Sequence, residues 1–185
     1  MAAPPSQTID KLGGSWTLNK ALSTDFNPLM RLQGLTWLSR KAVNLATITT
    51  HITLKPSPSE AASSTRTLIL NNSAFNFPGT VEARTLDWEW RDFKDYIWGA
   101  FQDRSRIVRK DGLAQEVADG EWVQGLRGED EWMVESEIRA RDGAWSNHTV
   151  WGFKSVGAER RLIRHMEARR GEECARAVLV YDFVS

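Results

Sequence analysis

Apolar and polar residues alternate along most of this chain, which is the pattern of β-strands with one buried face. A first short run carries Trp16 and Leu18 directly after Gly14. A long series of alternating segments begins near Ala46 and continues to Val184. The last segments are separated by short glycine-bearing stretches at hairpin spacing, which is typical of an antiparallel meander. The pattern predicts about ten strands, most of them paired with their sequence neighbours.

Between the first and second predicted strands, the spacing of apolar residues changes to that of helices. Asn27-Pro28 marks the start of one helix, because proline is tolerated in the first turn of a helix. Gly34 ends it, and the residues from Leu35 to Leu45 follow at the spacing of a second helix. A helix pair in this position predicts an all-β, up-and-down antiparallel barrel with a helix-turn-helix cap between its first two strands. Such a barrel is a container that can hold a small molecule.

The middle of the chain predicts further strands and one long connection. Val81 to Arg91 alternates cleanly, so we expect one continuous strand there. Tyr96 to Phe101 and Arg104 to Arg109 predict a hairpin that turns at Gln102-Asp103. The charged, glycine-bearing stretch from Lys110 to Asp130 predicts a long loop with a short strand inside it. Long loops in compact domains are often functional, which makes this one a candidate rim or lid.

Composition and charge limit the classes of partner. The chain of 185 residues is long enough for one domain, and we expect a flexible tail over residues 1–10 and a single barrel domain over residues 11–185. Lysine plus arginine (24) equals aspartate plus glutamate (24), so no overall field attracts nucleic acid. A single cysteine, Cys174, is typical of a reducing compartment. With no leader and no run of membrane-spanning length, we expect a soluble, cytoplasmic protein whose oligomeric state stays open.

The first strand and the helix pair carry a spaced set of residues: Gly14, Trp16, Leu18, Phe26, Met30, Gly34, Arg40 and Lys41. This spacing resembles the start of the intracellular lipid-binding proteins, which include the fatty-acid and retinoid carriers. More loosely it resembles the lipocalins, which share the calycin barrel. The resemblance implies a capped barrel that binds a hydrophobic small molecule.

The resemblance also implies how a ligand is held. Fatty-acid carriers of this family commonly bind the ligand carboxylate through an Arg-x-Tyr pair on the last strand. The corresponding positions here are Leu179 and Tyr181, so the tyrosine is kept and the arginine is absent. This departure weakens plain fatty-acid transport. Calycin-like proteins have also been recruited as cyclases and pericyclases in natural-product pathways, so the resemblance permits a catalytic function.

Tryptophan is the anomaly of the composition, with nine residues against two tyrosines. Period-two parity gathers many of the rings, with a few polar groups, on the predicted inner faces, although it leaves the inner face of the Glu159 to Ala168 strand open. The predicted ligand-binding residues are Trp37, Leu86, Trp88, Trp90, Trp132, Val134, Ser136, Trp145, Thr149, Trp151, Phe153, Ala177 and Leu179. Tyr181, Arg84 and Asn147 are the candidate catalytic residues, because hydrogen bonds to a carbonyl stabilise charge on its oxygen.

Signals for metals, cofactors and covalent catalysis are poor. His51, His148 and His165 lie on separate predicted strands and share no ligand spacing with one another or with Cys174. The sequence carries no phosphate-binding glycine loop and no nucleophile elbow. We therefore expect no metal and no cofactor.

Three functions remain open. The first is a cofactor-independent cyclase or isomerase, such as a pericyclase of the Diels–Alder type, acting on a terpenoid- or polyketide-like molecule that the cavity holds folded. The second is a non-catalytic carrier of hydrophobic ligands, and the third is a structural barrel whose indoles fill the core. The missing arginine, the tryptophan-rich faces and the polar groups among them favour the first.

Overall fold

A computed structural model of the chain describes residues 1–56, 65–74, 77–113 and 131–185. Within these ranges the strands are β1 (Gly13–Leu18), β2 (Ile48–Pro56), β3 (Arg66–Ala74), β4 (Phe77–Thr85), β5 (Arg91–Asp95), β6 (Gly99–Arg109), β7 (Trp132–Ala140), β8 (Ser146–Val156), β9 (Glu159–Arg170) and β10 (Glu173–Phe183). The helices α1 (Asn27–Leu32) and α2 (Trp37–Leu45) lie between β1 and β2. Short 3₁₀ helices at Ile9–Lys11 and Lys110–Gly112 precede β1 and follow β6.

The strands form one sheet in the order β4-β3-β2-β1-β10-β9-β8-β7-β6-β5. Each adjacent pair joins sequence neighbours except β1 and β10, which pair antiparallel with Trp16 opposite Phe183 and Leu18 opposite Tyr181. This is the predicted up-and-down arrangement, and the helix pair lies where it was predicted. The all-β, calycin-like barrel with a helical cap is therefore confirmed.

The residues at the start of β1 fix how the two ends of the chain meet. Gly14 has a φ of 85°, and a Cβ atom there would lie 2.5 Å from the Ser185 carbonyl oxygen. Only glycine accepts both the backbone conformation and this approach. Two residues later, Trp16 is fully buried, with its ring centroid 4.9 Å from that of Phe183 and 5.8 Å from that of Phe153. Aromatic packing therefore ties β1 to β8 and β10.

The helix pair follows the signals in its sequence. Pro28 lies in the first turn of α1, and Gly34, with a φ of 86°, follows the end of the helix. The Thr36 side chain caps α2 by accepting from the Ser39 backbone N–H at 3.2 Å. The helix α1 buries Leu29, Met30 and Leu32, whereas none of the residues of α2 is buried. Thus α1 belongs to the core, and α2 lies over it as an outer cap.

Apolar residues are buried on both faces of the sheet. The inner cluster includes Trp16, Ile52, Leu68, Leu70, Val134, Trp151, Phe153 and Leu162. A second cluster lies on the alternate positions of β6 to β10 and contains Val108, Met133, Val150, Ile163 and Val180, with Leu113 from the segment after β6. Because both faces carry buried residues there, alternation alone does not separate the cavity from the rest of the core.

Two predictions for the middle of the chain are wrong. The strand predicted from Val81 to Arg91 ends at Thr85, where the backbone bends, and Trp88 adopts a φ of 67°. A non-glycine residue in this left-handed region cannot continue a strand. The hairpin predicted at Gln102-Asp103 is also wrong, because β6 runs through these residues and the turn precedes it. Asp103 is buried within the strand rather than exposed in a turn.

The first ten residues, for which we predicted a flexible tail, make specific contacts. The Ala3 backbone N–H donates to the Arg160 carbonyl at 2.6 Å, and the Phe183 N–H donates to the Met1 carbonyl at 3.0 Å. Ala3 and Ile9 are buried.

Residues 114–130 of the predicted long loop lie outside the described residues. Neither helix of the described chain is long and apolar enough to cross a membrane.

Candidate functional site

A cavity of about 370 Å³ lies inside the barrel beneath the helix pair. The helices contribute an apolar wall that includes Phe26, Leu29, Met30, Ala42, Val43 and Ala46. The turn between β5 and β6 adds Tyr96, Ile97 and Trp98. The strands contribute polar residues, among them Thr50, Asn72, Glu82, Arg84, Asn147, Arg164 and Tyr181. An apolar cavity of this size with a limited set of polar groups is typical of a small-molecule site.

Arg84 is the centre of a buried group of charges. Its side chain is 4% exposed, and Glu82 Oε2 accepts from Arg84 Nη2 at 2.5 Å and from Nε at 3.1 Å. Asp103 Oδ2 lies 3.3 Å from the same Nε, which links β4 to β6. Burial alone would raise the pKa of Glu82, but the charge and hydrogen bonds of Arg84 outweigh it and lower that pKa. Burial raises the pKa of Asp103, and the Arg84 charge opposes this only in part.

Side chains from β2 and β3 hold Glu82 in place. Asn72 Nδ2 donates to Glu82 Oε1 at 3.3 Å and to Thr80 Oγ1 at 3.2 Å. Thr50 Oγ1 in turn donates to Asn72 Oδ1 at 2.7 Å. These residues meet because the strand register places Asn72 opposite Thr50 on one side and Thr80 on the other. A connected buried network of this kind fixes the position of the charges that it holds.

Arg164 reaches the cavity from β9, where it lies directly opposite Leu179 of β10. Its guanidinium interacts electrostatically with the Tyr181 hydroxyl, to which an arginine can only act as a donor. Burial lowers the pKa of Arg164 and raises the pKa of Tyr181, and the contact between them opposes both shifts. Tyr181 therefore stays protonated at neutral pH, and its own hydrogen remains to donate to a bound molecule.

Arg164 lies about 5 Å from Leu179 as its cross-strand partner, so an arginine lies beside the position where the resemblance found none. A signal for it was present in β9, where Arg164 alternates with the buried Leu162, Met166 and Ala168. Glu82 was missed in the same way, although it shares a face of β4 with Arg84 at a spacing of two.

Three buried donor atoms on the cavity wall have no hydrogen-bond partner in the described part of the chain: Arg84 Nη1, Asn147 Nδ2 and Arg164 Nε. Asn147 is 2% exposed, and its Oδ1 accepts from Thr149 Oγ1 at 2.9 Å, which leaves the Nδ2 group for another partner. A buried donor without an acceptor costs about 1–3 kcal/mol. An acceptor oxygen on a bound molecule would remove this cost.

The structure brings some of the predicted site residues to the cavity and leaves others away from it. Tyr181, Arg84 and Asn147 all line it, as do Trp145 and Leu179. The core beside the cavity wall holds Val134, Ser136, Thr149, Trp151, Phe153 and Ala177, with Leu86 partly buried against it. The apolar members of this set belong to the inner cluster, and the Trp151 ring centroid lies 4.5 Å from the Arg164 guanidinium. They therefore support the wall from behind.

The remaining predicted tryptophans lie away from the cavity. The bend after β4 turns Trp88 and Trp90 toward Arg104, whose guanidinium lies 4.4 Å and 4.7 Å from their ring centroids. Trp37 is 61% exposed and Trp132 is 36% exposed. Trp98, which the sequence reasoning missed, lines the cavity together with Trp145. The alternation pattern placed Trp88 and Trp90 on the inner face of a strand, but β4 ends at Thr85, before either residue.

His165 lies on β9 next to Arg164 and therefore points to the opposite face of the sheet. Burial and the Lys154 charge lower its pKa to about 4, so this imidazole is neutral at pH 7. Across the described ranges, no three His, Cys, Asp or Glu side chains come together as a metal site would require.

Proteins of similar sequence match this chain along nearly its full length. No family model matches the chain. It is 26% identical over 183 residues to a probable pericyclase, scpY, of Mollisia scopiformis, covering 99% of this chain and 95% of that protein. It is 25% identical over 186 residues to the pericyclase pydY of an Acremonium species, covering 100% of this chain and 97% of that protein.

Solved structures share the fold. The fluorescent protein UnaG superimposes with a TM-score of 0.61 at 15% identity, covering 95% of this chain and 99% of that chain. A variant of the REP1-NXSQ fatty acid transporter superimposes with a TM-score of 0.56 at 14% identity, covering 93% of this chain and 97% of that chain. A brain fatty-acid-binding protein of Drosophila melanogaster superimposes with a TM-score of 0.53 at 16% identity, covering 92% of this chain and 97% of that chain. The barrel is thus that of the fatty-acid-binding proteins, as the resemblance implied.

Proposed function

We propose that this chain binds a neutral, hydrophobic, carbonyl-bearing molecule in the barrel cavity and folds it for a pericyclic cyclisation without a cofactor. One observation carries the proposal. Arg84 Nη1, Asn147 Nδ2 and Arg164 Nε are buried donors without a partner in the described chain, and all belong to residues of one largely apolar cavity. The two full-length relatives that are named pericyclases support this class of reaction.

The charges around the cavity favour a neutral ligand over an anionic one. Two guanidinium groups, Arg84 and Arg164, share the interior with two carboxyl groups, Glu82 and Asp103. The two guanidinium groups and the two carboxyl groups carry equal and opposite charge when all are ionised. A ligand carboxylate would add a negative charge without a partner, and an unpaired buried charge is costly. A carbonyl oxygen needs only the free donors.

An intramolecular cycloaddition of a diene and an enone suits this set of groups, because it needs no co-reactant. Two carbon–carbon σ bonds form, three π bonds become one, and no atom or proton enters or leaves. The enone oxygen gains negative charge in the transition state, so hydrogen bonds from Arg164 and Tyr181 strengthen there. The apolar wall from the helices would hold the chain folded, which removes part of the entropic barrier.

The test uses linear trienones, in which a terminal enone is tethered to a conjugated diene. We expect the protein to convert them to products of unchanged mass and new chromatographic retention faster than buffer does. Arg164→Leu and Tyr181→Phe should each slow this conversion, by about 100-fold for the loss of one donor. Arg169→Leu is the matched control, because this side chain lies on the same strand and is 59% exposed.

Two results would contradict the proposal. If every trienone is converted no faster with the protein than in buffer alone, the proposed cyclase function is wrong. If Arg164→Leu is as fast as Arg169→Leu, the donor set is not what accelerates the reaction.

A second candidate is a carrier of hydrophobic carboxylates, and the contact of Arg164 with Tyr181 favours it. The pair has the residue types that fatty-acid carriers use, although the arginine comes from β9. The two functions separate in a binding experiment with prodan, a neutral naphthyl ketone, and cis-parinaric acid, a fluorescent carboxylate. Tighter binding of cis-parinaric acid, with no conversion of trienones, would establish the carrier instead.

A further inference from the structure

Gln33 places a buried acceptor on the cavity wall close to the helices. It directly follows α1, its backbone N–H donates to the Leu29 carbonyl at 3.1 Å, and the residue is only 7% exposed. Its Oε1 atom is buried and has no hydrogen-bond partner in the described part of the chain. The residue lines the same cavity as Arg84 and Arg164. Glutamine is rarely this buried unless its amide is bonded, so the atom requires an explanation.

The residues on both sides of Gln33 show which part of the barrel lies beneath it. Arg31 Nη2 lies 2.6 Å from Glu173 Oε2, and a Cβ atom on Gly34 would lie 4.0 Å from Arg170 Nη1. Gln33 therefore sits above the turn between β9 and β10. Arg164 lies about six residues, or roughly 20 Å, further along β9. The side chain of Gln33 is shorter than this distance along β9. Gln33 and Arg164 therefore lie toward different ends of the cavity.

The two ends differ in their hydrogen-bonding character. The end near Arg164 presents the unpartnered donors of Arg84 and Arg164. The end near α1 presents the unpartnered acceptor of Gln33 together with the Asn147 amide, since Asn147 lies opposite Ala168, toward the turn between β9 and β10. Between them the wall is apolar, with Leu29, Met30 and Met166 among its residues. A molecule that satisfies both ends must carry an acceptor at one end and a donor at the other.

We propose that the ligand carries a hydrogen-bond donor, a hydroxyl or an amide N–H, at the end of its apolar chain remote from the carbonyl, and that Gln33 Oε1 accepts from it. This inference rests on the proposed function, because it takes the carbonyl to lie near Arg164. Gln33 is then a specificity-determining residue that selects ligands by their far end and fixes how deeply they enter.

The test compares three neutral probes built on the same carbon chain: dodecan-2-one, its ω-hydroxy derivative and its ω-methoxy derivative. Each displaces prodan from the wild-type protein and from Gln33→Met, which keeps the length of the side chain and removes its polar atoms. The cost of dehydrating the hydroxyl is the same in both proteins, so the change in the affinity ratio reports Gln33 alone. We expect the ratio of hydroxy to methoxy ketone to fall by about tenfold in Gln33→Met.

Gln102→Met provides the matched control, because this glutamine lies outside the cavity and bonds to Asp92 at 3.1 Å. It should leave the ratio unchanged. An equal ratio in the wild type and Gln33→Met overturns the inference, as does a ratio that rises in Gln33→Met, because an amide that presents its NH₂ group would select an acceptor.

The failures of the two proposals look different. If prodan and dodecan-2-one do not bind at all, the proposed function fails. If both bind and the hydroxyl brings no advantage that depends on Gln33, only the present inference fails. Should Gln33→Met not fold, Gln33→Leu provides the same comparison of the affinity ratio, because it also removes the polar atoms of the side chain.

Discussion

The substitution Glu82→Gln tests whether the buried charges hold the barrel together. Glu82 Oε2 accepts two hydrogen bonds from Arg84, at 2.5 Å and 3.1 Å, and Oε1 accepts from Asn72 at 3.3 Å. The amide keeps the shape and one acceptor but removes the charge. Arg84 is then left with Asp103, at 3.3 Å from its Nε, as its remaining counter-ion.

The expected loss follows from the burial of the pair. Removing one partner of a buried ion pair costs about 3–5 kcal/mol, because the other charge remains buried. Since Asp103 still compensates part of the Arg84 charge, we expect the lower end, about 3 kcal/mol of unfolding free energy. The lowered pKa of Glu82 means that its charge stabilises the fold above the ordinary carboxyl pKa. This contribution disappears as the pH falls through the lowered pKa, so the difference between the two proteins should shrink in acid.

Urea unfolding measures the free energy of unfolding of the wild type and of Glu82→Gln. Glu173→Gln provides the matched control. Glu173 makes a similar contact with Arg31, at 2.6 Å, but the two side chains are 60% and 55% exposed. Exposed pairs contribute about 0–1 kcal/mol, so the control should change little. If Glu82→Gln loses no more than Glu173→Gln, the reasoning from burial is refuted.

Two further stability predictions use the same measurement. From about pH 4 to about pH 8 the stability of Asp103→Asn should rise relative to that of the wild type, because a raised pKa means that ionisation of Asp103 lowers the stability of the fold; a variant that loses stability relative to the wild type as the pH rises would contradict this. Gly14→Ala should cost about 1–3 kcal/mol, since a Cβ would lie 2.5 Å from the Ser185 oxygen at a φ of 85°. Its control is Gly143→Ala, with a φ of 73° and open space around the Cβ; equal costs would show that the approach of the two chain ends does not matter.

The fold was largely predictable because its signals are local. Proline and glycine bound α1 at Pro28 and Gly34, and period-two alternation outlines β7 to β10. The number of strands and the position of the helix pair were then enough to indicate a capped barrel. Prediction failed where one residue changes the backbone direction, as Trp88 does with its φ of 67°, because nothing in the alternation around it signals a bend.

The sequence by itself determined the container and the kinds of side chain on each strand face, since both depend on spacing along one segment. Only the tertiary structure decided which groups meet. Arg164 contacts Tyr181 because the register of β9 and β10 places it opposite Leu179. Arg84 meets Asp103 because the curled sheet brings β4 to β6. Alternation assigns a residue to a face but not to a neighbour across strands, and the site is made of such neighbours.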